Sequence, residues 1–541
     1  MNKFEGFRVN GKPFFVLGAQ AHNSSSYTEE DFRHAALCAK NFCCNTLEAP
    51  VYWHKIEPEE GVFDFTSIEY MIRICRETGI KLVVLWFATW KNGDMSYCPP
   101  YVKADAKRFP RALMADGTFL QNLTSHSAAN RNADARAYVK LMERIREIDA
   151  DEQTVIAVQI ENEPGYLHSD KDYSPESERD LKKDVPAGLI EYIESRGCGF
   201  AFEQWKKYGG KRGGAWEEVF GIHGIELCEA FHIAGYIDYI AERGKEAYDM
   251  PMYVNVWLDG GEFLIPGIGC PGGGAILKTL DVWKFAGPHI DLIAPDIYIR
   301  NYRTYREMCD GYARADNPLF VPESAAAGAN VAHMFYAIGA RGAIGFATFG
   351  LESSFDADGA IKPNSVAMRE NNKALLSVQN LLCEYAGTGR IYPVVQEENM
   401  PRASYEFERY YGCVNFSHEG WHGGGTGYKG RNAPPAETPL PVRGLIFEVS
   451  ATEFYLVGNF HLKLMYKSSP ARNLSSQISP VIDFASVEEG YFDGGGKFVV
   501  TGERNGDEVM FGDFWTAPHS GVTRVRMIDV ERMRTIDVEG I

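Results

Sequence analysis

The sequence has no apolar run long enough to cross a bilayer, no C-x-x-C pair, no excess of basic residues and no internal repeat. Each absence removes a class of protein. Without a span of about 20 apolar residues there is no membrane helix to place. The N-terminal stretch "MNKFEGFRVNGKPFFVLGAQ" is broken by Gly6, Asn10 and Gly11 before it could form a signal-peptide core. The expectation is a cytoplasmic protein. Lys and Arg number 55 against 73 Asp and Glu, a net charge of -18, which repels polyphosphate and anionic membrane surfaces. Nucleic acid and membrane are therefore not expected partners. The eleven cysteines are odd in number and scattered, with only Cys43 and Cys44 adjacent. They read as reduced core residues, not as a disulfide framework or zinc site.

Several chemistries lack their parts. There is no phosphate-binding P-loop, no G-x-S-x-G elbow and no H-E-x-x-H pair among the thirteen histidines. "GIGCPG" at 267–272 satisfies G-x-G-x-x-G, but it follows Pro266 and carries Pro271 where a helix should begin. It reads as a tight loop. No cofactor and no metal is expected.

What is present is an ordinary globular composition, 45% hydrophobic and 24% charged, over 541 residues, enough for more than one domain. Eight short apolar runs recur through the first 350 residues, at 14–20, 41–50, 81–88, 154–163, 250–257, 290–298, 318–324 and 342–350. Amphipathic stretches such as "EEDFRHAALCAKN", "SIEYMIRICRETG" and "ADARAYVKLMERIREID" lie between them, with apolar residues at three- and four-residue spacing. Eight strands alternating with helices predict a (β/α)8 TIM barrel over residues 1–365. A long insertion around 165–249, including a helical pattern near 224–247, is expected to decorate the catalytic face. Beyond 365 one more helical pattern gives way to alternating β-branched and aromatic runs separated by Gly- and Pro-rich turns. Residues 366–541 therefore predict an antiparallel, sandwich-like β domain, with loops that suit a homo-oligomer interface.

A barrel of this kind carries its chemistry at the C-terminal ends of its strands. Strand 4, "TVIAVQIENE", passes from apolar residues straight into Glu161, Asn162, Glu163 and Pro164. Strand alternation puts Glu161 and Glu163 on one face and Asn162 on the other, unless a bulge intervenes. Strand 7 ends in Glu323, so Glu163 and Glu323 can meet across the barrel mouth. Two carboxyl groups over a cleft rich in Trp, Tyr and Asn are the equipment of glycoside hydrolysis, one protonated to donate and one ionised to attack.

"QIENEPG" and "LFVPES" resemble the acid/base and nucleophile motifs of the retaining clan A glycoside hydrolases. "FRVNGKPFFVLGAQAHNSS" is similar to the opening of glycoside hydrolase family 35, and "NTLEAPVYWHKIEPEEGVFDF" resembles the strand 2 region shared by β-galactosidases of families 35 and 42. "VVLWFATWKNG", "KDYSPESERDLKKDVPAGLI" and "APDIY" followed by "NPLFVPE" resemble a bacterial branch of family 35-like proteins whose barrel precedes a β-rich domain of unassigned role. The resemblance implies Glu163 as general acid/base, Glu323 as nucleophile, Asn162 on the sugar 2-hydroxyl and Tyr298 hydrogen-bonded to the nucleophile. A core tyrosine capping strand 6 is the structural alternative for Tyr298.

Trp90 and Asn92 end strand 3, and Trp257 ends strand 5, as pocket wall or barrel interior. Glu57 follows strand 2, either at the sugar subsite or organising a loop. Phe349 ends strand 8 where many clan members place a tryptophan under the sugar; Trp90 or Trp257 could supply that face instead. His22, Asn23 and Asn132 are candidates by position alone. The expected function is a retaining exo-acting β-glycosidase, a β-galactosidase first, acting on a small β-glycoside or oligosaccharide. β-Glucosidase or transglycosylase activity is the near alternative, and a catalytically silent carbohydrate-binding protein the distant one.

Overall fold

A computed structural model describes residues 4–258, 265–397, 400–416, 441–467, 484–504, 506–516 and 521–528. Most of the Gly- and Pro-rich stretch that begins at His422, and the end of "VTRVRMIDVERM", lie outside the described residues. The chain divides into two compact units, residues 1–326 with 344–361, and residues 327–343 with 362–541.

The first unit is a near-closed barrel of eight parallel strands: β1 (Val16–Gln20), β2 (Thr46–Tyr52), β3 (Lys81–Lys91), β4 (Val155–Asn162), β5 (Met252–Trp257), β6 (Leu292–Asp296), β7 (Phe320–Val321) and β8 (Gly345–Phe349). All eight expected strands are present, paired from β6 back through β1 to β8 and β7. Nearly every strand residue is buried. This is why the strands read as continuous apolar runs: helices cover one face and the barrel interior the other. Phe7, Val83, Leu85, Tyr253 and Phe320 belong to one interior cluster, with the Phe7 ring edge-on to Phe320 at 5.2 Å.

β7 is the shortest strand because Pro318 and Pro322 bracket it and neither can donate a ladder hydrogen bond. Asn317 takes the place of a strand residue there. Its Oδ1 accepts the Ile293 N–H at 2.8 Å, and its Nδ2 donates to the Ile293 carbonyl at 2.9 Å. The Ile297 N–H then donates to the Glu323 carbonyl at 2.9 Å, joining the ends of β6 and β7.

The helices follow their sequence signals. In α1 (Glu29–Asn41), Thr28 caps the N-terminus by accepting the Asp31 N–H, and acidic residues fill the first turn. α2 (Thr66–Thr78) stops at Gly79, whose φ of 74° suits a left-handed cap. α3 (Ala128–Asp149) precedes β4. Between β4 and β5 the chain forms α4 (Pro175–Leu181), three further short helices and the long α5 (Gly224–Ala247). α5 packs on α3 so closely that a Cβ on Gly244 would sit 2.3 Å from the Tyr138 ring. It thus serves as the barrel helix after β4, and residues 165–223 are the insertion proper. That insertion starts by stitching the barrel rim. Leu167 N–H donates to Gly93 O, His168 N–H to Gly267 O, and Tyr166 pairs with Gly272. The 267–272 segment is a loop.

The second unit contains helices Asn330–Arg341, Val366–Ser377 and Gln379–Tyr385, then an antiparallel six-stranded and an antiparallel four-stranded sheet. Ile446, Leu456 and Val525 from the first sheet share one core with Val414, Leu462 and Phe514 from the second. Two sheets facing across a common core make a sandwich.

Candidate active site

The end of β4 departs from strand geometry. Glu161 has φ 62° and Glu163 φ 47°, both left-handed. The register between β3 and β4 also slips, with Trp86 opposite Ile160 but Lys91 opposite Asn162. Such a bulge leaves β3 amides without ladder partners, and Glu161 supplies them. Its carboxyl oxygens accept the Thr89 N–H at 3.1 Å and the Trp90 N–H at 2.7 Å. Glu161 is fully buried, and burial followed by the nearby Asp134 carboxylate pushes its pKa well up. The alternation expected for Glu161 and Glu163 therefore does not occur. The bulge leaves Glu161 on the helix side of the sheet, beside Asp134 of α3, and Asn162 and Glu163 facing the same site.

Glu163, Asp296 and Glu323 bring one carboxyl oxygen each to within 4.8 Å of one another. Glu323 is held by three donors. Asn162 Nδ2 and Asn255 Nδ2 each lie 3.3 Å from Oε1, and the Tyr298 hydroxyl donates to Oε2 at 2.9 Å. Asn255 also donates to Asp296 at 2.7 Å and accepts the Glu163 backbone N–H at 2.8 Å. One β5 side chain thus ties together all three carboxylate-bearing strand ends. Burial first, and the Glu323 charge second, push Glu163 up to about 7, partly offset by Lys91. Asp296 is raised well above the ordinary range by burial and then by Glu323 and Glu163. Burial and the neighbouring Glu323 charge therefore oppose ionisation of both Glu163 and Asp296.

These groups open onto a cavity of about 370 Å³ lined by Asn23, Lys91, Asn92, Trp257, Phe349 and Tyr298, among others. Asn162, Glu163, Glu323, Asn92, Trp257, Tyr298 and Phe349 are therefore brought together. Trp257 also borders a second cavity of about 790 Å³, whose walls include Leu167, Tyr173 and Ile268. Two expected residues stand elsewhere. Trp90 is fully buried between Tyr236, edge-on at 5.0 Å, and Tyr166. Its strand position turns it toward the helix layer. Glu57 is fully buried and accepts from Gly61 N–H at 2.8 Å, Tyr101 hydroxyl at 2.9 Å and Arg136 Nε at 2.9 Å. It organises the loop after β2, so a subsite role for Trp90 or Glu57 does not fit the geometry. Asn132 lies exposed on α3, away from the cavity lining.

Comparison with known proteins points the same way for part of the chain. Residues 22–186 match the family model described as Beta-galactosidase. Residues 368–515 match a domain of unknown function (DUF5597). A human protein named Beta-galactosidase-1-like protein 3 is 27% identical over 191 residues, which is 35% of this chain and 27% of that protein. The chain thus spans about a quarter of that relative's length. Among solved structures, a β-galactosidase from the psychrophilic Marinomonas ef1 is 12% identical with a TM-score of 0.48, covering 68% of this chain and 61% of the other. The catalytic domain of a β-amylase from Paenibacillus polymyxa is 11% identical with a TM-score of 0.49, covering 66% and 98%.

Two residues of the site escape sequence reasoning, and a third, Asp296, is legible there only as a strand-end carboxylate without a role. Lys91 is only 3% exposed, donates to Asn162 Oδ1 at 2.8 Å and also to Asn92. A lysine ending an otherwise apolar strand was its available signal. Asn255 sits mid-run in "YVNVW", where a buried amide needs partners and so marks a polar site. Asp296 ends β6 as a strand-end carboxylate like Glu323, and that position was its signal.

Proposed function

We propose that the chain is a retaining exo-acting β-glycosidase, with a terminal β-galactosyl group as the preferred glycone. Support for the glycone comes from the described β-galactosidase match over residues 22–186. The observation that carries the chemistry is the Glu163 and Glu323 pair. One carboxyl oxygen of each lies within 4.8 Å of one of the other, a close approach that fits the short carboxylate spacing of retaining enzymes better than the wide spacing with which inverting enzymes seat a water. Glu163, raised to about 7, keeps its proton near neutral pH and donates it to the leaving oxygen. Glu323, cradled by three donors in place of water, attacks the anomeric carbon and forms the glycosyl-enzyme. Glu163, now ionised, then takes a proton from water as that water attacks.

Asn162 sits between Lys91 and Glu323, where its amide can reach a sugar 2-hydroxyl. Trp257 and Phe349 supply apolar walls for the pyranose ring. The second cavity shares Trp257, which gives an oligosaccharide leaving group room beside the first.

The test is a panel of nitrophenyl α- and β-glycosides with anomer detection by NMR. Cleavage of the β-galactoside with the β-anomer released first supports the reading. First release of the α-anomer overturns the retaining mechanism. Cleavage confined to another β-sugar overturns the glycone. No cleavage of any member overturns the glycosidase.

A further inference from the structure

Outside the catalytic cavity, three elements of the first unit converge on a second cluster. His126 stands just before α3, Asp180 near the end of α4, and His232 in the middle of α5. His126 Nδ1 lies 2.8 Å from Asp180 Oδ2, and His232 Nδ1 lies 3.7 Å from the same oxygen. The two imidazoles lie 4.3 Å apart, tilted by 37°. One nitrogen from each ring and one carboxylate oxygen fall within 4.8 Å of each other.

An ion pair between His126 and Asp180 leaves much of this arrangement without a purpose. His232 aims the same nitrogen at the same oxygen from too far for a hydrogen bond. Behind His126, its Nε2 faces Glu229 Oε2 across 3.5 Å, longer than an ordinary hydrogen bond. Glu229 is 2% exposed, with its other oxygen fixed by the Ser177 hydroxyl at 2.8 Å. A carboxylate held on the far side of an imidazole is the usual support for a metal-bound histidine, orienting the ring and keeping the proton on the far nitrogen.

The spacings agree with that use. Ligand atoms about 2.0–2.1 Å from a tetrahedral zinc ion stand about 3.3 Å from one another. Two of the three ligand pairs, at 2.8 and 3.7 Å, bracket this value and the third lies within 4.8 Å, so side-chain shifts of about an ångström would seat an ion. Lys183 contacts the other Asp180 oxygen at 2.5 Å and leaves Oδ2 to the two rings.

We propose that His126, Asp180 and His232 bind a zinc ion, with Glu229 positioning His126. Two imidazoles and one carboxylate suit this ion. Water completes the shell on the side of His232, whose side chain is 24% exposed. The ion would clamp the 165–223 insertion, through α4, to the barrel helices α3 and α5. Tyr166, two residues past Pro164, donates its hydroxyl to Ser125 beside His126. The clamp therefore secures the segment that leaves the catalytic strand.

The test uses the full chain, stripped with chelator and titrated with Zn²⁺, then with Co²⁺ as a visible probe. The expected result is a single tight equivalent, a rise in melting temperature, and tetrahedral cobalt absorption. His232→Ala, which removes a partly exposed ligand, should weaken Zn²⁺ by at least about tenfold and abolish the cobalt spectrum. Asp180→Asn should do the same. Zn²⁺ uptake that is absent, or unchanged in His232→Ala with its circular dichroism intact, overturns the site. The cluster would then be a His126–Asp180 ion pair alone.

Discussion

Lys91 donates to Asn162 Oδ1 at 2.8 Å, and this one bond decides which way the Asn162 amide faces. With its oxygen claimed by the ammonium, Asn162 turns Nδ2 toward Glu323 Oε1 at 3.3 Å. A buried cation thus orients the amide that approaches the proposed nucleophile, and its charge also acts on Glu163.

Lys91→Met tests both effects through the pH profile. If Glu163 is the proton donor, kcat/KM falls as pH rises through about 7, because the donor loses its proton there. The Lys91 charge favours the ionised form of Glu163, so its removal raises that pKa. The alkaline limb should move to higher pH, and kcat should drop as Asn162 loses its orientation. A limb that stays put or moves down would separate Lys91 from Glu163, or Glu163 from the proton transfer.

Azide separates the two glutamates by stereochemistry. Glu323→Ala should lower turnover of an activated aryl β-galactoside by at least about a thousandfold, since no glycosyl-enzyme can form. Azide can then enter from the vacated face and give the α-galactosyl azide. Glu163→Ala keeps the nucleophile, so with the same substrate azide should intercept the glycosyl-enzyme and give the β-product. Exchange of the two products would reverse the assigned roles.

The barrel was legible because each strand is buried on both faces and so writes itself as an apolar run, with caps such as Thr28 and stops such as Gly79 between. Strand-end carboxylates were legible for the same reason: Glu163 and Glu323 interrupt apolar sequence abruptly. The bulge was not. Nothing in "WFATWK" or "QIENE" announces that residues 86–91 of β3 span only residues 160–162 of β4, so simple alternation put Glu161 on the face of Glu163 and Trp90 looked like a pocket residue. Lys91 and Asn255 were hidden by their neighbours, since a polar residue inside a strand reads as noise until its partners from distant strands are placed. Glu57 could be sorted from the sugar site only by seeing Arg136 and Tyr101 close around it.

Glu161 offers the sharpest separation of structure from chemistry, since it stands two residues from Glu163 and shares its charge. Its carboxyl satisfies the amides of Thr89 and Trp90, both buried by the bulge. Glu161→Ala orphans two N–H groups at about 1–3 kcal/mol each, so a loss of about 2–6 kcal/mol is expected. Near-UV circular dichroism reports it directly, because Trp86 and Trp90 flank the bulge. The melting midpoint should fall well below that of Glu163→Ala, whose side chain accepts no backbone amide among the described residues, while turnover of whatever Glu161→Ala remains folded should persist. An unchanged midpoint with turnover lost would instead make Glu161 part of the chemistry, and the strand-end carboxylates would need new roles.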